Sequence, residues 1–220
     1  MGRRALPKID PAVDLSRHFL SVEALCATPR DPVALFGRAA PLEVEVGSGK
    51  GLFLQNASQG TPDHDFLGVE LAYRYAQFSA YRLAKREIEN ARMAQGDALK
   101  LFREWIPDAA LAAVHVYFPD PWWKARHHKR RVMNEPFLAD VVRTLQPDGR
   151  LHFWTDVRDY FEQSLELIAA HTPLVGPLEV PERAPEHDLD FRTHFERRTR
   201  QHGEPVYRAE FVKRHDGLVA

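Results

Sequence analysis

Five carboxylates, Glu45, Glu70, Asp97, Asp120 and Asp156, each stand at or just beyond the end of a short β-like run. Ligands of open α/β sheets bind outside the carboxyl ends of the strands, so acids in register at those ends describe a binding edge. A ring of carboxylates repels a bare pyrophosphate and favours a ligand that carries positive charge and hydroxyls, such as a sulfonium nucleoside. Taken singly, each acid reads as well as a solvated loop residue or a helix cap, and Asp97 is placed to cap the ALKLF helix. Taken together they point to one site. Glu70 follows Gly47 by 23 residues, close to the ~20 expected of an acid that accepts from ribose hydroxyls. Asp97 is placed to accept from an adenine amino group.

Between the first two acids lies Gly47-Ser48-Gly49-Lys50-Gly51, closing a strand and opening a helix. Alternating glycines let the backbone turn sharply and approach a ligand closely. The string is not a P-loop, because the leading Gly of that pattern is missing and Gly51 replaces the Ser or Thr that would hold Mg²⁺. It is not the dinucleotide fingerprint either, since Leu52 stands where the third Gly belongs. A tight strand-to-helix turn alone would also explain the glycines, and the surrounding acids tip the reading towards a cofactor loop.

The run FPDPWWKARHHKRR, Phe118 to Arg131, holds Asp120 between two prolines that stiffen the chain. Trp122 and Trp123 offer faces for stacking a base, or half-buried packing. From Lys124 to Arg131 there are five Lys and Arg and two His without an acid, which suits nucleic-acid phosphates. His127 and His128 lack a companion set of ligands at metal-binding spacing, so no metal is expected. A second basic segment, FRTHFERRTRQHG, places Thr193, Phe195 and Glu196 among arginines, a hydroxyl and a carboxylate able to meet a base edge.

These residues need elements to position them. Strands are expected at Leu42 to Val46, Phe66 to Leu71, Ala91 to Gln95, Ala113 to Phe118 and Arg150 to Thr155, with a last one at Tyr207 to Val212. Helical patterns lie between, from Ala72 to Glu89, closed by Asn90, and in NEPFLADVVRTL, opened by Asn134. Alternation of this kind predicts an α/β fold with a mostly parallel twisted sheet and helices on both faces. The first forty residues show a helix start at Asp31-Pro32 but no strand, so a helical N-terminal extension is expected. His171 to His187 reads as an acidic, proline-rich connection without assigned structure.

The chain has 220 residues, with 30 Lys and Arg against 31 Asp and Glu and one Cys. That length suits one domain with an appendage. The lone Cys26 excludes an internal disulfide scaffold and fits a reducing compartment. No stretch approaches the ~18 apolar residues of a membrane span, the N-terminus has no apolar leader core, and Leu6 breaks a myristoylation signal. A soluble, cytoplasmic protein is the expectation. Without Lys124 to Arg131 the chain holds 25 basic against 31 acidic residues, a net of −6. Without Arg192 to Arg214 as well, the remainder reaches −10. The near-neutral total thus averages an acidic body and two basic segments, a distribution that points to a focused RNA-binding face.

From Leu42 to Val212 the chain resembles the bacterial tRNA (guanine-N7)-methyltransferases, Rossmann-like enzymes dependent on S-adenosyl-L-methionine, with FPDPWWKARHHKRR the most specific element and the TDV and THFE strings in support. The resemblance implies methyl transfer to guanine N7 in tRNA, at position 46 of the variable loop. It implies cofactor contacts at Glu45, Glu70, Asp97 and Asp120, with the loop glycines Gly47, Gly49 and Gly51 beside them, and a catalytic role for Asp120. It places substrate contacts at Lys124, Asp156, Thr193, His194, Phe195 and Glu196, and an RNA-interacting stretch at Arg126, His127, His128, Lys129, Arg130 and Arg131. It divides the chain into an extension, 1–40, and a methyltransferase domain, 41–220, whose substrate-binding segment is 188–214. A monomer or loose homodimer is implied. The sequence departs from the family at Trp123, where Pro or His is usual, and at Thr199, where Gly is usual. Two other classes compete: a tRNA binder without chemistry, against which the full set of acids argues, and a nicotinamide oxidoreductase, disfavoured by Leu52 and by Glu45 beside the expected pyrophosphate.

Overall fold

The computed structural model describes residues 6–180 and 193–214. Its centre is an eight-stranded sheet: β1 (Phe19–Ser21), β2 (Leu42–Val46), β3 (Asp65–Glu70), β4 (Ala91–Gln95), β5 (Leu111–Tyr117), β6 (Leu145–Thr155), β7 (Val175–Leu178) and β8 (Tyr207–Val212). In space the order is β1-β4-β3-β2-β5-β6-β8-β7. The first six strands pair in parallel, while β8 runs antiparallel to both β6 and β7. The order reverses direction between β2 and β5, and such a switch point opens a crevice at the carboxyl ends of the two strands.

Helices cover both faces: α1 (Val22–Cys26), α2 (Pro32–Phe36), α3 (Leu52–Gly60), α4 (Tyr73–Lys85), α5 (Ala98–Glu104), α6 (Glu135–Thr144), α7 (Arg158–His171) and α8 (His194–Gln201). Strand residues alternate between the two layers. Val44, Val46, Leu67, Val114 and Phe153 pack with α1, α2, α5, α6 and α7, whereas Phe66, Met93, Tyr117 and Trp154 pack with α3 and α4. The sheet is therefore buried on both sides, as an α/β architecture requires.

The expected strands are present, with β2, β4 and β8 at the anticipated bounds and β3 and β5 starting one or two residues earlier. The N-terminal extension departs from expectation: besides α1 and α2 it carries β1, which adds an edge strand beside β4, and Val22 enters the core. Asn90 does not close α4, which ends at Lys85. Instead its side-chain amide donates to the carbonyls of Ser58 and His64, both at 2.9 Å, bracing the α3–β3 turn. The connection after α7 includes β7, and residues 181–187 of it lie outside the described residues.

Asn134 caps α6 as expected, its Oδ1 accepting from the Phe137 amide at 3.0 Å. Its Nδ2 also donates to the Arg131 carbonyl at 2.8 Å, so the cap ties the basic segment to the core. Asn134→Ala should lower unfolding free energy by ~1 kcal/mol, the usual loss for a helix cap. Urea denaturation checks this, and a midpoint equal to that of the unmodified chain would show the cap to be idle.

Candidate functional site

Glu45, near the end of β2, is the most deeply buried of the five acids, 2% exposed. Its Oε2 has no hydrogen-bond partner. Burial pushes its pKa up to about 8, the Ser48 hydroxyl opposing the shift and the charge of Glu70 adding to it. The site thus holds a carboxyl that is protonated at neutral pH and poised to ionise against an incoming cation.

The glycine loop follows at once. The Gly47 and Ser48 amides donate to the Val69 carbonyl at 2.8 and 3.0 Å, folding the turn back onto β3. Glu70 completes it: Oε2 accepts from the Gly49 amide at 2.9 Å, and Oε1 from the Ala72 amide at 2.8 Å at the start of α4. Gly47, Gly49 and Gly51 all have positive φ, at 80°, 53° and 69°. A Cβ on Gly47 or Gly49 would meet nothing within 4 Å, so the loop borders open space. One on Gly51 would lie 1.9 Å from Ser79 Oγ of α4, so only glycine fits there. Arg82, also on α4, donates to the Lys50 carbonyl at 3.0 Å and to Gln55 Oε1 at 2.5 Å. Ser79 and Arg82 brace the loop, yet nothing in the sequence marked them, because they sit inside an ordinary helical pattern.

Asp97 is exposed beyond β4 and caps α5, its Oδ1 accepting from the Leu99 amide at 2.9 Å. Asp120 is exposed beyond β5, on the other side of the switch point. Asp156 follows β6 and is partly buried. Burial raises its pKa and the neighbouring Glu204 adds to the rise, while its own backbone and Arg198 oppose it. All five acids thus lie along the same carboxyl edge of the sheet, on successive neighbours β4, β3, β2, β5 and β6.

The basic segment forms a 3-10 helix, Ala125–Arg130, directly after Lys124. Lys124, Arg126, His128, Lys129 and Arg130 are exposed, and His127 is half-buried. Arg131 is held differently: its guanidinium lies 4.7 Å from the Tyr160 ring centre, Nε donates to the Pro121 carbonyl at 2.7 Å and Nη1 to Gln163 Oε1 at 2.7 Å. It anchors the loop that carries Asp120. In the C-terminal segment, Thr193 caps α8 by accepting from the Glu196 amide at 3.0 Å. Glu196 is buried and pairs with Arg200 at 3.4 Å and Arg208 at 3.6 Å, fastening α8 to β8. Phe195 lies against Phe118, ring centres 5.1 Å apart. The side chain of His194, and residues 188–192, lie outside the described residues. Thr199 is buried within α8, which continues to Gln201, and the left-handed position falls at Gly203, φ 69°.

Among the described residues no group of three or more His, Cys, Asp or Glu is placed to hold a metal ion. No described helix is long and apolar enough to cross a membrane.

Residues 39–209 match a family model described as "Putative methyltransferase". The chain is 52% identical over 220 residues to a tRNA (guanine-N(7)-)-methyltransferase of Rhodopirellula baltica, covering 97% of this chain and 81% of the relative. A protein of the same description from Dechloromonas aromatica is 38% identical over 186 residues, covering 84% and 75%. Among solved structures, a precorrin-6y C5,15-methyltransferase from Geobacter metallireducens superposes with a TM-score of 0.54 at 15% identity, covering 87% of this chain and 85% of that one. A 30S ribosomal A1408 methyltransferase from an uncultured bacterium gives 0.53 at 13% identity, covering 82% and 91%. The structural likenesses establish the fold.

A carboxyl whose folded pKa is raised stabilises the protein below its unfolded value, 4.5, and loses that contribution as pH rises through about 8. The thermal midpoint of the free protein should therefore fall between about pH 5 and pH 8 and level off above, and Glu45→Gln should flatten the fall. Parallel pH profiles for the two proteins would remove Glu45 as the titrating group.

Proposed function

The chain belongs to the bacterial tRNA (guanine-N7)-methyltransferase family, and we infer that it transfers a methyl group from S-adenosyl-L-methionine to N7 of a guanine in tRNA, forming 7-methylguanosine. The observation that carries this reading is the buried Glu45, whose Oε2 has no partner, beside an open glycine loop, on the same sheet edge as Asp120 and the basic 3-10 helix. An acidic pocket fits a cofactor with an ammonium, a sulfonium and two ribose hydroxyls. Glu45, Gly47, Gly49, Gly51, Glu70, Asp97 and Asp120 would hold it. When bound, its sulfonium supplies an electrophilic methyl group.

Guanine N7 offers a lone pair and carries no proton, so the attack needs no general base. The protein's task is alignment and charge. Asp120, exposed beyond β5, is our catalytic assignment: its carboxylate stabilises the positive charge that develops on the guanine as N7 is alkylated. Arg131 and the flanking prolines keep that carboxylate in place. Lys124, Asp156, His194 and Phe195 remain our substrate-contact assignments. Thr193 and Glu196 serve by positioning α8 through the cap and the buried ion pairs described above. Arg126, His127, His128, Lys129 and Arg130 contact the tRNA backbone, while Arg131 acts on RNA through the loop it anchors. We assign residues 41–220 to the methyltransferase domain with 1–40 as its extension, the target to guanine 46, and the location to the cytoplasm. The protein works without metal as a monomer or loose homodimer.

Incubation with tRNA and methyl-labelled cofactor, followed by digestion, should yield labelled 7-methylguanosine. Retained tRNA binding without transfer would favour the alternative of a binder that keeps the fold alone. Asp120→Asn should lower turnover by two or more orders of magnitude with little change in tRNA affinity, since one preorganised charge typically contributes about 10²–10³. Turnover at the unmodified rate would remove Asp120 from the chemistry. Replacing Arg126, Lys129 and Arg130 with Ala should flatten the dependence of log K on log salt by roughly 0.7–0.9 for each phosphate no longer neutralised. An unchanged slope would place the RNA backbone elsewhere.

A further inference from the structure

Trp122 and Trp123 are adjacent in sequence, but the fold uses them differently. Trp122 is half-buried. The Arg130 guanidinium lies 5.0 Å from its ring centre, and the His127 ring meets it edge-on at 5.9 Å. These contacts tie Trp122 to the 3-10 helix. Trp123 is 74% exposed, more than any other large apolar side chain among the described residues. An indole left this open in a rigid loop three residues beyond Asp120 is a free aromatic face beside the proposed reaction centre.

Trp123 forms one wall of a cleft of about 390 Å³, with Val157 and Pro205 as apolar lining and Asp156, Arg158, Asp159 and Glu204 as polar lining. That volume lies in the range of ~300–1,000 Å³ usual for small-ligand sites. The cleft sits at the carboxyl ends of β6 and the loop after β5, across the switch point from the glycine loop. Its one described cation, Arg158, is paired with Glu162 at 2.8 Å. Glu204 is near enough to raise the pKa of Asp156. Carboxylates only accept hydrogen bonds when ionised, so a ligand that suits this cleft is flat, stacks on an indole and donates from one edge.

Guanine meets that description. Its N1–H and 2-amino group are adjacent donors on the Watson–Crick edge, and holding that edge leaves N7, on the opposite side of the purine, free to react. Adenine presents an acceptor at N1 and would leave a carboxylate facing a lone pair. Resting on the functional reading above, we propose that Trp123 is the stacking platform for the target guanine and that Glu204, with Asp156, accepts from its Watson–Crick edge. Trp123 and Glu204 thereby set base specificity, while Asp120 acts on the charge at the reacting ring.

The test compares the unmodified protein with Trp123→Ala, Trp123→Phe and Glu204→Gln, using tRNA with guanine or inosine at the methylated position. Inosine keeps N7 and N1–H but lacks the 2-amino group. Trp123→Ala should raise KM for tRNA about tenfold, within the range for base stacking on an aromatic ring, with cofactor affinity unchanged. Trp123→Phe should restore most of it. The unmodified protein should drop about tenfold in kcat/KM on inosine, the scale of one hydrogen bond to a charged acceptor, and Glu204→Gln should be impaired on guanine with little further loss on inosine. Both positions are on the surface of the cleft, and unchanged cofactor affinity serves as the check on folding. An unmodified KM in Trp123→Ala, or an inosine penalty that persists in full in Glu204→Gln, would overturn the proposal while leaving the methyltransferase reading intact. Absence of 7-methylguanosine with the unmodified protein would overturn both.

Discussion

Burying a carboxylate away from water without a partner costs several kcal/mol, so the group stays protonated until a cation arrives. Glu45 is held in that condition by β2, which passes through the middle of the sheet and leaves its last acid under the glycine loop. The loop depends on the same placement. Its amides are folded onto β3, its third peptide is held by Glu70, and its outer turn is closed by Ser79 and Arg82 from α4. A preorganised loop beside an uncompensated carboxyl gives this edge of the sheet a standing preference for a cationic nucleoside over a polyphosphate.

The strand order then divides the labour. The proposed cofactor residues stand over β2, β3 and β4, and the proposed guanine cleft stands over β5 and β6, with Asp120 at the boundary. The two basic segments are fastened to that second half by different devices. Arg131 stacks on Tyr160 and bonds the Pro121 carbonyl, while Glu196 bridges α8 to Arg208 of β8. Arg126, Lys129 and Arg130 are exposed, Arg130 with its guanidinium 5.0 Å from the Trp122 ring centre, and these are the proposed phosphate contacts. An acidic floor with basic flaps is how a chain of near-zero net charge can hold both a cationic cofactor and RNA.

Much of the frame was legible because strand and helix periods differ. The apolar–acid alternation of β2, the short run of β4 and the alternation in β8 gave their bounds to the residue, and Asn134 and Asp31 announced helix starts through their capping chemistry. The strand β1 was not legible, since Phe19–Ser21 is too short to show alternation and exists through its pairing with β4. Asn90 resembled a helix closer but serves the turn at Ser58, 32 residues earlier in the chain, a tertiary role that local pattern does not encode. The sequence brought the five acids to one edge, but burial alone separates Glu45 from the exposed Asp97 and Asp120. It could not distinguish Arg131 from Arg130, or Trp122 from Trp123, because in each pair the difference lies in what the fold sets against the side chain.

The role of Glu45 is open to calorimetric titration of S-adenosyl-L-methionine into the protein at pH 6.5, in two buffers of different ionisation enthalpy. If the buried Glu45 ionises to receive the cofactor's ammonium, binding releases about one proton per site, and Glu45→Gln binds more weakly without that release. Tight binding by the unmodified protein with no proton exchanged would show that Glu45 does not ionise against the cofactor.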